Sequence, residues 1–299
     1  MYDYIIVGAG SAGCVLAHRL SEDPACRVLL LEAGPRDWHP FIHMPAGLAK
    51  LVNRKGVNWN YDTAPEPHLH NRTLWWPRGK VLGGSSSINA MCYIRGVARD
   101  YDEWAERASG WDWQTVLPYF RRAEGNGRGA DALHGGDGPL SVSDLRHTNP
   151  LSQVFIDAAN QAGLPGNADF NGPRQEGIGL YQVTQRNGER HHVAKAYLAP
   201  HRARPNLRVE TGAQVLRIER PKKSIAVEAS EPRYDVLARG RTSISLDLRK
   251  AGAADCQRQE APVPQGAGVV VCAVKPWAKA RKSRDSQNSN MINHVFSAA

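Results

Sequence analysis

The sequence predicts an α/β fold built on a Rossmann-like βαβ unit, and three observations near the N-terminus predict it. The apolar run Tyr4–Val7 leads into a glycine-rich turn, Gly8–Gly13. Apolar residues then recur at helical spacing. A second apolar run, 28–31, ends in the acid Glu32. Strand, turn, helix and strand in this order are typical of a dinucleotide-binding unit.

Each residue of the turn has a predicted physical task. Gly8 permits the tight turn, Gly10 lets the backbone approach a pyrophosphate, and Gly13 lets the helix pack closely on the strand. Ser11 and Ala12 lie at the start of the helix, where unpaired N–H groups attract phosphates.

The segment after the turn predicts a helix whose apolar face carries Val15, Leu16 and Leu20. The carboxylate of Glu32 follows at the end of the second strand, where it can accept hydrogen bonds from a ribose diol. A strand-to-helix turn without a ligand is the alternative, and it leaves Glu32 unexplained.

Further elements follow along the chain. The pattern predicts helices at 100–107, 113–123, 150–162 and 193–200, and strands at 207–210 and 213–218. Asp112 is the predicted N-cap of the second of these helices, and Leu151 and Phe155 lie on the apolar side of the third. Asp100 and Asp102 are predicted to be caps or charge partners. The six glycines within 125–138 predict a flexible surface loop.

Bulk composition limits the possible function classes. The 299 residues are 41% hydrophobic and 22% charged, as in ordinary globular proteins. No apolar run approaches the roughly 20 residues of a membrane-spanning helix, and no export signal is recognised, so a cytoplasmic location is expected. The five cysteines form no close pairs, which argues against a disulfide framework and a zinc site.

The net charge of +9 does not predict nucleic-acid binding. Residues 221–299 contain 13 Lys and Arg but only 7 Asp and Glu, so most of the excess lies in this last part. No stacking aromatic side chains are interleaved with the basic residues at 281–284. A solvated basic tail is therefore the preferred interpretation.

A second glycine-rich element, Arg78–Gly96, is more specific than the first. Its paired glycines, Gly83 and Gly84, precede three serines that begin at Ser85. Backbone N–H groups and hydroxyls in such a sequence can form a concave nest for phosphate or flavin oxygens. The alternative is a solvated polar turn.

Together these motifs resemble the glucose–methanol–choline (GMC) oxidoreductases, most closely the choline and alcohol dehydrogenase branch. The resemblance covers about residues 1–220. It is carried by the segments 8–13, 78–96, 187–190, 196–198 and 210–218. It implies a Rossmann-like FAD-binding domain of GMC type with a partial α+β substrate domain, followed by an irregular C-terminal tail.

The resemblance also implies a domain layout. FAD-binding elements are expected at about 1–35, 78–100 and 205–220, and a partial substrate region at about 140–205. Residues 221–299 read as divergent, as though a shifted reading frame or a truncation had replaced the family sequence.

The cofactor that the resemblance implies is FAD, not a nicotinamide. In such proteins the first turn and Glu32 hold the ADP half, while Val215 pairs through its backbone with adenine. Some members attach FAD through a histidine, and Ile88 stands at that position here, so noncovalent FAD is expected. The residues assigned to FAD by the resemblance are Gly8, Gly10, Ser11, Ala12, Gly13, Glu32, Val81, Gly83, Gly84, Ser85, Asn89, Ala90, Met91, Cys92 and Val215.

The implied reaction is oxidation of a small-molecule alcohol, in which a base takes the hydroxyl proton and hydride passes to flavin N5. The alcohol and the electron acceptor, oxygen or a membrane quinone, are not specified by the sequence. The family's base is a late histidine, and no matching segment is found, nor is the Ser-Gly-Ile-Gly turn. No catalytic residue is therefore assigned, and a noncatalytic FAD-binding fragment is the alternative function.

The remaining histidines do not form a predicted site. His68 and His70 would share a face, and the adjacent His191 and His192 would point to opposite sides of a strand. None has a third ligand or a nearby acid in the sequence, so all four are interpreted as surface or core histidines. His294 is assigned no role, and no metal is predicted.

Overall fold

The computed structural model describes residues 2–219 and two later strands at 245–250 and 268–271. The described chain divides into two compact units. The first unit contains residues 2–37, 53–85 and 198–219 together with both later strands. The second contains residues 38–52 and 86–197.

Twelve strands and six α-helices are described. The strands are β1 (Tyr4–Val7), β2 (Val28–Glu32), β3 (Tyr61–Asp62), β4 (Trp75–Trp76), β5 (Glu124–Asn126), β6 (Leu140–Val142), β7 (Gln185–Arg186), β8 (Glu189–Arg190), β9 (Leu207–Thr211), β10 (Ala213–Glu219), β11 (Ser245–Lys250) and β12 (Gly268–Val271). The helices are α1 (Ser11–Leu20), α2 (Pro40–His43), α3 (Leu48–Leu51), α4 (Ala98–Ala105), α5 (Trp113–Ala123) and α6 (Pro150–Gln161).

Short helical turns complete the list. Four are 3₁₀ turns, at Pro45–Gly47, Pro67–Leu69, Gly84–Ser87 and Ala199–His201, and one is a π-helical turn at Ala194–Leu198. The last two replace the regular helix that the sequence predicts over 193–200.

The first unit is organised around a four-stranded sheet with the order β12-β1-β2-β9, and every pairing in it is parallel. Each residue of β2 is buried, as expected of a central parallel strand. Helix α1 connects β1 to β2, so the predicted βαβ unit is confirmed. A small apolar cluster of Ile5, Leu29, Leu31 and Ala213 packs beside the sheet.

The buried face of α1 differs from the predicted one. Gly13, Cys14 and Ala17 are buried, whereas Val15, Leu16 and Leu20 are half-buried. His18 is buried on the same face, and the small residues Gly13, Cys14 and Ala17 let the helix axis approach the sheet closely.

The tail that the sequence predicts as irregular contributes two strands. β12 pairs with β1 over four residues, Tyr4 opposite Gly268 through Val7 opposite Val271. β11 pairs antiparallel with β10 and places Leu248 opposite Val215. The rest of 220–299 lies outside the described residues, including the predicted divergent stretches, His294 and the basic residues at 281–284.

The second unit contains helices α4, α5 and α6. Asp112 caps α5 as predicted, because its carboxylate accepts a hydrogen bond from the Thr115 N–H at 3.0 Å. Asp100 and Asp102 also act as caps. Their carboxylates accept the N–H groups of Val97 and Trp113, at 2.9 and 3.0 Å.

Helix α6 forms where predicted, but its apolar side is exposed. Leu151 and Phe155 are 73% and 66% exposed, and Val154 is also exposed. The periodicity therefore predicts the helix correctly, and the apolar residues on its one side are exposed within the described chain.

The segment 125–138 is not the flexible loop that its glycines predict. Buried His134 lies between two carboxylates, 3.0 Å from Glu124 Oε1 and 2.9 Å from Asp169 Oδ2. Asn126 donates to the same Glu124 oxygen at 2.9 Å. A Cβ on Gly135 would lie 1.8 Å from the Arg121 carbonyl oxygen, so this glycine serves close packing rather than mobility.

Candidate cofactor site

The turn between β1 and α1 presents backbone amides at a helix N-terminus. Gly10 is the N-cap of the ten-residue helix, and no side chain caps it. The amides at the start of the helix, at Ser11 and Ala12, therefore have no side-chain acceptor, and the helix dipole makes this end favourable for an anion. Gly8 has a φ of 95°, which only glycine adopts easily.

Gly13 and Gly10 meet different constraints. A Cβ on Gly13 would lie 1.9 Å from the Gly8 carbonyl oxygen, so the close packing of helix on strand requires glycine there. At Gly10 a Cβ would meet no protein atom within 4 Å, and φ is −76°, which any residue adopts. The fold of the described chain therefore does not require glycine at position 10.

The second glycine-rich element lies against this turn within the first unit. The Gly83 N–H donates to the Ala9 carbonyl at 2.8 Å, and the Gly84 N–H donates to the carbonyl of buried Val81 at 2.7 Å. Gly84 has a φ of 57°, and its Cβ would lie 2.7 Å from the Gly10 Cα. The structure thus brings the two predicted glycine turns together.

The hydroxyl of Ser85 already has a partner. It accepts the Gly79 N–H at 3.1 Å, while the Ser85 side chain lies at the protein surface. Its role in the structure includes holding the loop that precedes it.

Glu32 is buried and stabilises the first turn directly. Its Oε2 accepts the Ala9 N–H and its Oε1 accepts the Gly34 N–H, both at 2.8 Å. Burial raises the pKa of this carboxyl, although the backbone hydrogen bonds and nearby Lys80 act in the opposite direction. Each oxygen keeps a further lone pair, so the acid can still accept from a ligand hydroxyl.

Val215 lies on β10 in the first unit. Its side chain packs, half-buried, against the cluster that contains Ile5 and Leu31. Only its backbone was predicted to recognise adenine.

The four other predicted FAD residues lie in the second unit. Asn89 Oδ1 accepts the Met91 N–H at 3.0 Å, which closes a local turn, and Met91 has the left-handed φ of 64°. Ala90 and Cys92 are exposed, and Met91 is buried.

Arg190 is a residue of this region that the sequence analysis did not assign. Its guanidinium is completely buried and donates to the Ile42 carbonyl at 2.8 Å, the Ser86 carbonyl at 3.1 Å and Asn89 Oδ1 at 2.8 Å. Burial lowers the pKa of Arg190 to about 10. The only signal in the sequence was its place in the family-like segment 187–190.

Comparison with known proteins decides the family. Residues 2–244 match the GMC oxidoreductase family, described as "GMC oxidoreductase". The chain belongs to the GMC oxidoreductase family. Members of this family are flavoproteins. The match extends to residue 244.

Two GMC relatives show what this chain is similar to. An alcohol dehydrogenase [acceptor] of Pseudomonas putida is 56% identical over 221 residues, covering 73% of this chain and 40% of that protein. A mitochondrial choline dehydrogenase of Mus musculus is 52% identical over 227 residues, covering 73% of this chain and 38% of that protein. The chain thus spans about two fifths of the length of these relatives.

A solved GMC-like structure supports the fold. The crystal structure of pyridoxine 4-oxidase from Mesorbium loti is 34% identical in sequence, with a TM-score of 0.74. The match covers 91% of this chain and 49% of that one.

Four histidines that the sequence analysis considered lie within the described part of this GMC chain. His68 and His70 are exposed, and His191 and His192 are buried, which confirms the surface and core interpretation. His191 Nδ1 accepts the Ser141 N–H at 3.1 Å, and burial lowers its pKa to about 4.

A metal cluster and a membrane-spanning helix are both absent from the described residues. No group of three or more His, Cys, Asp or Glu side chains within them is arranged to hold a metal ion. In the same part of the chain, no helix is both long enough and apolar enough to cross a bilayer.

Proposed function

We propose that this GMC chain binds FAD noncovalently and represents the cofactor-binding part of an oxidoreductase that acts on the CH–OH group of a small-molecule alcohol. The names of its relatives favour choline or another alcohol as the substrate. Bound FAD would supply the hydride acceptor.

The observation that carries the proposal is the open space at Gly10. Glycines at Gly8, Gly13 and Gly84 are explained by backbone angles or close contacts, and Gly10 is not. It lies at an uncapped helix N-terminus beside the second glycine turn, where a pyrophosphate would need both the space and the N–H donors. The residues present therefore fit the diphosphate of FAD.

The chain's own residues would bind and orient the cofactor. The backbone N–H groups of Ser11 and Ala12 would donate to the pyrophosphate oxygens, and Glu32 would accept from the ribose hydroxyls of the adenosine. The buried Glu32 carboxylate is already fixed by two backbone N–H groups, so little side-chain entropy is lost on binding. Ile88 offers no nucleophile at the covalent attachment position, which favours the noncovalent mode.

Proton removal from the alcohol is not assigned to any described residue. His191 is neutral, buried and occupied as an acceptor, which makes it a poor candidate for the base. This observation favours a second candidate function for the chain by itself, a flavin-binding fragment without turnover.

FAD titration of a matched pair of variants tests the proposal. Gly10→Ala places a methyl group in the proposed diphosphate position, and Gly56→Ala is the control because its Cβ also meets no atom within 4 Å. We expect wild type and the control to quench FAD fluorescence on binding, and Gly10→Ala to bind at least about tenfold more weakly with an unchanged melting temperature. Acid precipitation should release all FAD from the wild type.

Two results would overturn the proposal. One is a wild-type chain that takes up no FAD in the titration. The other is a Gly10→Ala variant that binds FAD as tightly as the control does.

A dye-reduction assay separates the two candidate functions. FAD-loaded chain is mixed with choline or a primary alcohol and an artificial electron acceptor. We expect no reduction above that of free FAD. Sustained turnover would instead show that the base lies within these 299 residues.

A further inference from the structure

We propose that Arg190 is a positioning residue for Asn89, holding its carboxamide so that the Nδ2 amide is the group offered to the flavin. This inference rests on the proposed function, because the family resemblance is what assigns Asn89 to FAD. It concerns only residues of the second unit.

The guanidinium of Arg190 is itself held rigidly. Its Nε donates to the Ile42 carbonyl at 2.8 Å, and its Nη1 donates to the Ser86 carbonyl at 3.1 Å and to Asn89 Oδ1 at 2.8 Å. No part of the residue is exposed. The planar guanidinium is fixed by two carbonyls on different segments, so it holds its third partner, Asn89 Oδ1, in a defined position.

Asn89 has one orientation that satisfies its neighbours. Its Oδ1 accepts from two donors, Arg190 Nη1 and the Met91 N–H at 3.0 Å. A flipped carboxamide would point its NH₂ group at both donors, so the oxygen and nitrogen positions are fixed by the network. Within the described residues Nδ2 has no partner, and it is therefore the free donor of this side chain.

The local backbone supports the same conclusion. Met91 adopts a φ of 64°, which is uncommon for a residue with a long side chain. The Asn89 side chain closes the turn that contains this residue. Such a conformation persists only where the surroundings enforce it, and Arg190 is the buried group that anchors Asn89 from outside the turn.

The charge of Arg190 adds a second effect. None of its hydrogen bonds goes to a carboxylate, and its buried Nη2 has no hydrogen-bond partner in the part of the chain that the structure describes. A buried, uncompensated guanidinium is costly for stability alone. Its positive charge polarises the Asn89 carboxamide and strengthens Nδ2–H as a donor to an electron-rich atom.

The test uses the full chain with two readouts. Arg190→Lys keeps the positive charge but loses the fork, and Asn89→Ala removes the carboxamide. Arg186→Met is the control, because Arg186 lies on the paired strand β7 of the same hairpin and is exposed. Thermal melting first confirms that each variant is folded.

The first readout needs no cofactor. The NH₂ resonances of the Asn89 side chain are assigned by their loss in Asn89→Ala. In wild type they should be well dispersed, and rotation of the carboxamide that interchanges its oxygen and nitrogen should be slow. In Arg190→Lys they should move toward the values of a free amide, while Arg186→Met leaves them unchanged. Unchanged resonances in Arg190→Lys would overturn the proposal.

The second readout is FAD affinity together with the absorption spectrum and midpoint potential of the bound flavin. Arg190→Lys and Asn89→Ala should each weaken binding about tenfold, and the double variant should be no weaker than either single one. The spectrum and the potential should shift in both single variants and not in Arg186→Met. Additive losses, or an unshifted spectrum and potential, would contradict the positioning role.

The outcomes also separate this inference from the proposed function. If the wild-type chain takes up no FAD, the proposed function fails, and the resonances still decide whether Arg190 positions Asn89. If wild type binds FAD and the Arg190 variants match it in every readout, the proposed function stands and this inference is wrong.

Discussion

Two glycines of one turn, Gly10 and Gly13, serve different physical needs. Gly13 is required by its neighbour, because the Gly8 carbonyl oxygen occupies the place of a side chain. Gly10 is surrounded by open space. Their spacing in the sequence predicts both positions, but the contact geometry is needed to separate the structural glycine from the binding one.

Gly13→Ala should therefore destabilise the protein even without FAD. The added Cβ would lie 1.9 Å from the Gly8 oxygen, so β1 and α1 would have to move apart. We expect a loss of about 2–4 kcal/mol in the free energy of unfolding. Urea denaturation measures it, with Gly10→Ala as the comparison that should unfold like wild type. Equal stability of both variants would contradict this assignment.

His191 gives a prediction about pH. Its folded pKa is lowered to about 4, first by burial and then by Arg186, and the unfolded value is near 6.5. Above pH 6.5 the stability from keeping it neutral is complete, and it is lost as the pH falls toward 4, because the unfolded chain takes up the proton first. The loss is on the order of 2–3 kcal/mol.

His191→Asn isolates this contribution. The Asn oxygen can still accept the Ser141 N–H but does not titrate, so the difference in unfolding free energy from wild type should shrink as the pH falls from 6.5 to 4. Denaturant titrations at several pH values measure the two curves. Parallel curves would show that His191 does not control the slope.

Residue roles were predictable only where local sequence determines them. The glycine spacing and Glu32 belong to one contiguous βαβ motif, so they can be recognised directly in the sequence. Arg190 was missed because its partner Asn89 lies 101 residues away, and burial of a guanidinium is decided by tertiary packing. Charge alone predicts an exposed arginine.

At the scale of elements, the sequence predicted the limits of the helices more reliably than which of their side chains are buried. Helix α5 has the predicted limits, and Asp112 caps its first turn. Helix α6 has the expected limits within one residue, yet its apolar side faces solvent. The prediction of a flexible loop over 125–138 was wrong for a related reason. Its order comes from side chains that converge from distant segments, and glycine content does not reveal them.

His134→Ala should loosen this segment. The change removes the group between Glu124 and Asp169 and leaves the Glu124 carboxylate buried with only weaker partners. We expect a loss of about 3–5 kcal/mol in the free energy of unfolding and faster amide hydrogen exchange over 125–138. His70→Ala, at an exposed histidine, is the control. Unchanged exchange in His134→Ala would show that the network does not order the segment.

At the scale of the whole molecule, the family and the parallel sheet follow from the sequence, and the full strand order does not. The pairing of β1 with β2 is predicted by the βαβ motif. The pairing of β1 with β12 is not, because the segment 268–271 lies in a part of the chain that no motif covers. A short apolar run without periodicity does not predict the strand with which it pairs.

Ending the chain after residue 244 tests the role of this distant strand. The truncation removes β11 and β12 and leaves the outer edge of β1 unpaired. We expect a lower melting temperature and concentration-dependent aggregation through the open edge. Light scattering during thermal melting measures both. A truncated chain that melts like the full chain would show that β12 contributes no stability.

The placement of β12 has a consequence for how the protein is made. Tyr4 is synthesised long before its partner Gly268, because the two lie far apart in the sequence. The growing polypeptide therefore carries β1 with one edge unpaired until the segment of β12 has been made. Pairing across so long a stretch of chain is slow, so β1 is exposed to association with other nascent chains until β12 pairs with it.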